Sequence, residues 1–263
     1  MRICMVGDVF GNNGLKALKQ YLPQVKEQYR PDLLIVNGEN LAGGFGLTKA
    51  LYDDLKSMHI HVITMGNHTF SKREIMDYMD DATIIRPLNY GEGVPGKGIY
   101  TFNYNGETVA VINLMGRIFM GDPLKNPFTV IDDTLKTLDT DHIIIDFHGE
   151  ATSEKLAFGH HVDGRVTAVF GTHTHVPTKD AMRLPKGTFY ITDIGMTGSR
   201  YSILGAQKDK QIQKFISGMP ARIEEDKSDV LQFNAVLIDT DQSTIKHLQY
   251  FSDERGINHG QRL

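Results

Sequence analysis

The 263-residue chain contains a single cysteine, Cys4, which lies in the apolar run ICMV. One cysteine excludes a disulfide bond within the chain, and this scarcity fits a reducing compartment. We therefore expect the protein to be cytoplasmic.

The chain also has no apolar run that approaches the roughly 18 residues needed by a membrane-spanning helix. The residues after Met1 and Arg2, ICMVGD, are too short for the hydrophobic part of a signal peptide. We expect neither a targeting segment nor a membrane partner.

Basic residues are not in excess, since 28 Lys and Arg stand against 32 Asp and Glu, for a formal net charge of −4. This balance argues against a protein that coats nucleic acid, although it says nothing about a local positive site. No linker, repeat or low-complexity stretch interrupts the chain, and 40% of its residues are hydrophobic, enough for a substantial core. We predict one domain over residues 1–263 and no stable nucleic-acid partner, and we leave a homo-oligomer open.

Short β-rich runs alternate with helix-like segments. The predicted strands are RICMVG, DLLIVN, HVITMG, HIIIDF, TAVFG and TFYITDI, and the predicted helices are TKALYDDLKSM and LKALKQYLPQVKEQY, which Pro23 should kink or divide. Asn105-Gly106 between GIYTFNY and TVAVINL indicates a hairpin, and NAVLID and IKHLQY are expected to be antiparallel. Parallel βαβ units mixed with hairpins predict an α/β fold of two packed sheets with helices outside.

Polar side chains recur at one position, directly after the C-terminal end of a predicted strand. They are Asp8, Glu39 and Asn40, Asn67 and His68, His148, and finally His173 and His175. Because ligands of open α/β sheets bind outside the carboxyl ends of the strands, these side chains can meet in one cleft. Carboxylates, amide oxygens and imidazoles bind divalent transition metals, and the set is too large for one tetrahedral zinc ion. The pattern suits two ions that share a bridging carboxylate.

The pair His173 and His175 in VFGTHTH can be interpreted either as metal ligands or as ordinary structural residues. On an extended backbone, residues i and i+2 point the same way, so the two rings could converge on one centre. Each candidate also has a simpler explanation: the aspartate could cap a helix, the asparagines could hold turns, and a histidine could be a buried hydrogen-bonded residue. The repetition of the pattern at five strand ends favours the metal interpretation.

The motifs GDVFG, NGEN, GNHTF, DFHGE and GTHTH follow one another along residues 3–175. In this order they resemble the calcineurin-like metallophosphoesterases, whose pattern is D-x-H, GD, GNH, H and GHxH. The whole chain is similar to the YmdB-type bacterial branch of 2′,3′-cyclic-nucleotide 2′-phosphodiesterases through MRIxxxGDVxG, NGENxAxGxGLT, ITMGNHT, DFHxEATSEK, GTHTHVxT and ITDxGMTG. The resemblance implies a four-layer αββα sandwich of two mixed β-sheets, in agreement with the two-sheet prediction.

The chain departs from the superfamily pattern in two places. Phe10 stands where D-x-H has its histidine, and Gly38-Glu39 stands where GD has its bridging aspartate. The YmdB-type resemblance implies that Asn40 replaces the missing histidine. It implies two divalent or mixed-valence metal ions, the first bound by Asp8, Glu39, Asn40 and His175 and the second by Glu39, Asn67, His148 and His173. An amide oxygen in place of an imidazole makes the first site harder, which favours iron or manganese, with zinc and magnesium as alternatives.

Two divalent ions outweigh the charges of Asp8 and Glu39, so the cleft is expected to be positive and to suit a phosphate. The resemblance implies attack on phosphorus by a metal-bridging hydroxide, while both ions stabilise the phosphoryl oxygens. The leaving alkoxide needs a proton, and His68, directly after Asn67, is the predicted general acid. The alternative is that His68 orients a metal ligand by a hydrogen bond.

The resemblance implies that the protein hydrolyses small cyclic nucleotides, 2′,3′-cyclic monophosphates in particular, to 3′-nucleotides. A phosphomonoesterase or a 3′,5′-cyclic phosphodiesterase stays open, because the metal chemistry is common to all of them. A regulatory nucleotide- or RNA-binding protein with weak hydrolysis also stays open. The complete ligand set together with His68 favours the enzyme.

Overall fold

A computed structural model of the chain describes residues 1–80 and 83–252 and the backbone of 258–261. Its strands are β1 (Arg2–Val6), β2 (Leu33–Asn37), β3 (Val62–Thr64), β4 (Ile84–Ile85), β5 (Ile99–Tyr104), β6 (Glu107–Met115), β7 (His142–His148), β8 (Ala168–Thr172), β9 (Met182–Arg183), β10 (Phe189–Ile191), β11 (Gly198–Ser199), β12 (Leu231–Asp239), β13 (Thr244–Ser252) and β14 (Asn258–Gln261). Its α-helices are α1 (Gly11–Tyr29), α2 (Lys49–Ser57), α3 (Pro127–Thr137), α4 (Thr152–His161) and α5 (Lys208–Ser217), and a 3-10 helix spans Arg73–Asp77.

The strands form two mixed sheets. In the first, the order is β14-β13-β12-β1-β2-β3-β4, with β11 paired to β12, and in the second it is β5-β6-β7-β8-β10-β9. The strands β1 to β4 run parallel, as do β6, β7, β8 and β10, whereas β12 pairs antiparallel with β1. The Asn105-Gly106 hairpin between β5 and β6 and the antiparallel pair β12–β13 are both confirmed.

The layers follow from the alternation of side chains along each strand. In β1, Ile3 and Met5 point into a core between the two sheets, while Cys4 and Val6 pack under α1 and α2. In the second sheet, Ile144 faces the inter-sheet core. Its neighbours in β7 pack instead against α3 and α4 on the outside. The result is helices, sheet, sheet and helices, so the predicted αββα sandwich is confirmed.

Pro23 was predicted to kink or divide the first helix, and it does not divide it, because α1 is one helix of 19 residues with Pro23 in its interior. It also begins at Gly11, four residues before the apolar pattern that predicted it. A proline inside a helix costs about 3 kcal/mol through the lost hydrogen bond and steric conflict. Complete or nearly complete burial of Leu18, Tyr21, Leu22 and Val25 offsets this cost and keeps the helix continuous.

The polar ends of the strands lie on the inter-sheet face. In β7 the alternation that directs Ile144 inward also directs Asp146 and His148 inward, and in β2 it does the same for Asn37. Asn37 Nδ2 donates a hydrogen bond to Asp146 Oδ2 at 3.1 Å and so links the two sheets. The site is therefore built where the carboxyl ends of both parallel sets meet.

No helix in the described part of the chain has both the length and the apolar character needed to cross a membrane.

Candidate metal centre

The structure places every predicted site residue at the carboxyl edge of the two sheets. Four of them, Asp8, Glu39, Asn40 and His148, are buried, and the other four, Asn67, His68, His173 and His175, are half-buried. The burial of Asp8 and His148 is complete, so these two are interior groups.

Three side chains converge on His148. Its Nε2 atom lies 3.0 Å from Glu39 Oε1, 3.0 Å from Asn67 Oδ1 and 3.1 Å from His173 Nδ1. One ring nitrogen carries at most one hydrogen, so it cannot satisfy three acceptors at once. Ligand atoms of Glu39, His148 and His173 all lie within 4.8 Å of one another. Lone pairs that converge in this way suit a shared metal cation.

Hydrogen bonds behind His148 set the orientation of its ring. The Thr172 hydroxyl donates its single hydrogen to Asp146 Oδ1 at 2.6 Å, so it must accept from His148 Nδ1, which lies 2.9 Å away. In the neutral ring, Nε2 then keeps its lone pair and directs it at the cluster. A carboxylate behind the second ring nitrogen is the usual support of a metal-binding histidine.

His173 is held in the same manner. Its Nε2 atom lies 3.1 Å from Glu150 Oε2, which can only accept when ionised, so Nδ1 carries the lone pair that faces His148.

A second pair of donors lies beside this cluster. His175 Nε2 is 3.3 Å from Asn40 Oδ1, while His175 Nδ1 donates to the carbonyl of Leu204 at 3.1 Å. The amide nitrogen of Asn40 donates to the Gly44 carbonyl at 3.0 Å, so the amide oxygen is the atom turned toward His175. Two lone pairs facing each other again suit a cation.

The surroundings of Asp8 also indicate whether the residues present suit a bound metal. Its Oδ2 atom accepts the His173 N–H at 3.1 Å, but Oδ1, although fully buried, has no hydrogen-bond partner among the described residues. The nearest basic atom to Oδ1 among these residues, His148 Nδ1, is 3.9 Å away. A buried carboxylate oxygen without a hydrogen bond is costly unless a cation compensates its charge. The residues present therefore fit the metal ions that the sequence predicts.

Gly66 makes the close packing of the donors possible. A Cβ atom at this position would lie 2.4 Å from Glu39 Oε2 and 2.4 Å from His148 Nε2. The GNH motif thus needs its glycine for space.

The expectation that His173 and His175 lie on an extended backbone is wrong. Strand β8 ends at Thr172, and the two histidines have φ values of 100° and 66°. Such values are uncommon for residues other than glycine and are held by the surrounding structure. Asp8 accepts the His173 N–H, and Asp193 accepts the N–H of Thr174 at 3.0 Å. Buried carboxylates, rather than a neighbouring strand, thus hold this loop.

Phe10 explains how the centre is built without the missing histidine. Its ring packs so closely on Gly44 and Gly205 that a Cβ atom on either would lie 2.7 Å or less from a ring carbon. The same ring makes an edge contact with His175 at a centroid distance of 5.7 Å. Phe10 therefore supports the Asn40–His175 pair from behind.

Burial and neighbouring charges shift the pKa values of the ionisable groups at the centre. Burial raises the pKa of Asp8 and also opposes ionisation of Glu39, but His148 and His68 lower the pKa of Glu39 to about 2. Burial would lower the pKa of His148, but Glu39 and the neighbouring aspartates raise it to about 9. Burial, aided by His148, lowers the pKa of His173 to about 3, which keeps its lone pair free. The negative charges that stabilise a protonated His148 would equally stabilise a metal cation.

His68 lies at the rim of the cluster. Its backbone N–H donates to Glu39 Oε2 at 2.9 Å, and its ring packs edge-on against Phe45. The ring nitrogen Nε2 lies 3.3 Å from the amide nitrogen of Asn67, which leaves Asn67 Oδ1 free for the cluster. Burial lowers the pKa of His68, and the Glu39 charge opposes this shift.

A cavity of about 360 Å³ opens beside these donors. Its lining includes Glu39, Asn40, His68, His173 and His175. The volume lies within the range of small-molecule sites, and the donors give one end of the cavity its polar character.

Sequence reasoning missed the groups that hold the candidate ligands in place. Asp146 and Thr172 orient His148, Glu150 orients His173, and the Lys155–Asp193 pair holds the loop between the two histidines. One available signal was the aspartate inside the apolar run HIIIDF, on the same strand face as His148.

Two mixed sheets packed face to face between helices, with carboxylate, amide and imidazole donors at their common edge, define the calcineurin-like phosphoesterase class. More particularly, the chain belongs to the family described as YmdB-like protein, whose profile matches residues 4–250. The predicted resemblance is thereby confirmed.

Relatives and solved structures support this membership. A Bacillus subtilis (strain 168) protein named 2′,3′-cyclic-nucleotide 2′-phosphodiesterase is 48% identical over 251 residues, which are 94% of this chain and 94% of that protein. A hypothetical protein from Thermus thermophilus has a solved structure with a TM-score of 0.90 and 39% identity, covering 95% of this chain and 99% of that one. A structure of a novel phosphatase from Mycoplasma pneumoniae has a TM-score of 0.87 and 36% identity, covering 100% of this chain and 94% of that one.

Proposed function

We propose that the protein is a metal-dependent phosphodiesterase that hydrolyses 2′,3′-cyclic nucleotides to 3′-nucleotides. The observation that carries the proposal is the convergence of Glu39, Asn67 and His173 on His148, beside a cavity of suitable size. The 48% identity to the Bacillus subtilis phosphodiesterase supports the choice of substrate class.

We propose that Asp8, Glu39, Asn40 and His175 hold one ion and that Glu39, Asn67, His148 and His173 hold the other, with iron or manganese favoured. The Asn40–His175 contact and the His148 cluster support this division. When bound, the two ions would supply an activated water at neutral pH and positive charge for the phosphoryl oxygens.

The chain's own residues then have separate tasks. The ring of His148 is fixed by Thr172 and Asp146, and the ring of His173 is fixed by Glu150. The two rings therefore need little rearrangement to bind a metal. We propose that His68, which lies outside both ligand sets and lines the cavity, gives a proton to the leaving 2′-oxygen. A phosphodiester anion bound beside this ring favours its protonated form.

One domain over residues 1–263 is part of the proposal, since both sheets share the inter-sheet core. The cytoplasmic location suggested by the single cysteine stays a prediction.

Metal analysis combined with a panel of phosphate esters tests the function directly. We expect close to two ions per chain after reconstitution, with 2′,3′-cyclic nucleotides hydrolysed faster than 3′,5′-cyclic nucleotides and phosphomonoesters. Preference for either of those other esters would replace the proposed substrate. If the reconstituted protein held one ion or fewer and hydrolysed none of the esters, the proposed enzymatic function would be wrong and a binding role would replace it.

Asn40→Ala and Asn67→Ala test the division of ligands. Each variant is expected to lose one ion, because each removes an amide oxygen from only one set. In anomalous diffraction, the metal peak beside His175 should be missing in Asn40→Ala, and the metal peak beside His148 should be missing in Asn67→Ala. Asn12→Ala, outside the centre, should keep both ions. Equal loss of both ions in the two site variants would contradict the division.

His68→Ala tests the general acid. Positioned proton transfer is typically worth about 10² to 10⁴ in rate. A nucleoside 2′-alkoxide needs that proton and p-nitrophenolate does not, so hydrolysis of a 2′,3′-cyclic nucleotide should fall by roughly this factor while bis-p-nitrophenyl phosphate slows much less. Metal content should stay near that of the wild type. If both substrates slowed equally and metal content fell with them, His68 would be a residue that orients Asn67.

A further inference from the structure

Helix α5 lines the same cavity as the candidate metal donors. Gln211, Lys214 and Phe215 line the cavity from this helix, at positions i, i+3 and i+4. Residues with this spacing share one helix face, so α5 presents an amide, an ammonium group and an aromatic ring to the same space.

Gln211 has an unsatisfied hydrogen-bond donor on this helix. Its side chain is 6% exposed, and its Nε2 atom has no hydrogen-bond partner in the described part of the chain. Gln207, one turn earlier, has a buried amide oxygen that is also unpaired, so neither amide satisfies the other. A buried amide donor without an acceptor is costly. Gln211 lines the cavity, so a turn of its buried amide toward that space would bring the donor to a ligand acceptor and remove the cost.

Whereas the Gln211 side chain is buried, the aromatic side chain of Phe215 is 77% exposed. Ile203, Leu204 and Ile223 line the same cavity and continue its apolar surface. Large exposed aromatic surface beside a cavity is typical of a binding site rather than of an ordinary protein surface.

We propose that this face of α5 is the nucleobase subsite, with the base stacked on Phe215 and one of its acceptor atoms bonded to Gln211 Nε2. The inference rests on the proposed function, because it places the phosphate at the metal donors and the base at the other end of the same cavity. The base is joined to the ribose carbon next to the one that bears the 2′-oxygen, so phosphate and base must lie in neighbouring parts of one pocket.

The chemistry of the subsite predicts a broad base specificity. Every nucleobase has a π-face for Phe215 and at least one hydrogen-bond acceptor for Gln211, so neither contact separates purines from pyrimidines. We expect all four 2′,3′-cyclic nucleotides to be substrates, with purines favoured modestly by their larger stacking area.

The test compares a nucleotide with a substrate that lacks the base. We would measure kcat/KM for 2′,3′-cyclic AMP and for methyl riboside 2,3-cyclic phosphate, using the metal-loaded protein. Phe215→Ala should lower the ratio of the two values on the order of tenfold, as expected for loss of a stacked base, and Gln211→Leu should lower it too. The conservative Phe215→Tyr variant should restore the ratio. Ile216→Ala provides the control, because Ile216 is 72% exposed on the same helix but does not line the cavity.

Binding of the product adds a readout that does not depend on turnover. Calorimetric affinity for 3′-AMP should fall in Phe215→Ala, whereas affinity for ribose 3-phosphate should change far less. An unchanged ratio in Phe215→Ala, or a fall of the same size in Ile216→Ala, would overturn the subsite. So would a change of oligomeric state by sedimentation in Phe215→Ala with the ratio intact, since the ring would then serve a protein contact. If the wild-type protein hydrolysed neither cyclic phosphate, the proposed function would fail, and 3′-AMP binding would still decide the subsite.

Discussion

His148→Ala should remove nearly all phosphodiesterase activity and most of one bound metal ion. The substitution deletes the nitrogen on which Glu39, Asn67 and His173 converge. Hydrolysis and metal content per chain measure the effect. His160→Ala is the matched control, because His160 is an exposed histidine near the end of α4.

The chain should remain folded in His148→Ala. His148 is the last residue of β7, and it belongs to none of the apolar clusters that the described residues form. Circular dichroism and a thermal melt establish whether the variant is native. Wild-type turnover in a folded variant would show that His148 is not a metal ligand.

The strand ends could be predicted because the signal is local. An apolar run buried on both faces predicts a parallel strand, and the first polar residues after it lie at the edge where the strands end. Asp8, Glu39 and His148 were found in this way. No single position was informative, since each polar residue has an ordinary structural explanation, and only the repetition at five strand ends separated the interpretations.

The conformation of the GTHTH loop could not be predicted because its cause is distant in sequence. Alternation along β8 suggests that an extended chain continues through His173, yet the positive φ values there depend on Asp8 and Asp193. The position of Phe10 between Gly44 and Gly205 likewise joins three separate segments of the chain. Long-range contacts of this kind leave no periodic pattern.

Lys155 is the clearest case of a group whose role only the structure reveals. A lysine on a helix is normally a solvated residue. Here its side chain is 1% exposed, and Nζ donates to Asp193 Oδ2 and to the Thr172 carbonyl, both at 2.7 Å. Asp193 also accepts the N–H groups of Thr174 and Gly195. The buried pair therefore binds the backbone on both sides of His173.

Lys155→Met is expected to lower the free energy of unfolding by about 3–5 kcal/mol, because removing one partner leaves the Asp193 charge buried and uncompensated. Methionine keeps the length and apolar stem of the side chain, so lost packing contributes little. Urea unfolding with chelator in every sample measures the protein without metal stabilisation. Lys19→Met, which breaks the exposed pair with Asp54, should change the value by at most about 1 kcal/mol.

The double variant Lys155→Met with Asp193→Asn separates the charge from the shape of the site. Neutralising the stranded carboxylate should recover part of the lost stability, since an amide oxygen can still accept the Thr174 N–H. Metal retention should recover less, because Thr172 and Thr174 would no longer be held by a charged pair and His173 would be less well placed. If the double variant were no more stable than Lys155→Met alone, the loss would arise from packing rather than from an unpaired buried charge, and the electrostatic account of this loop would be wrong.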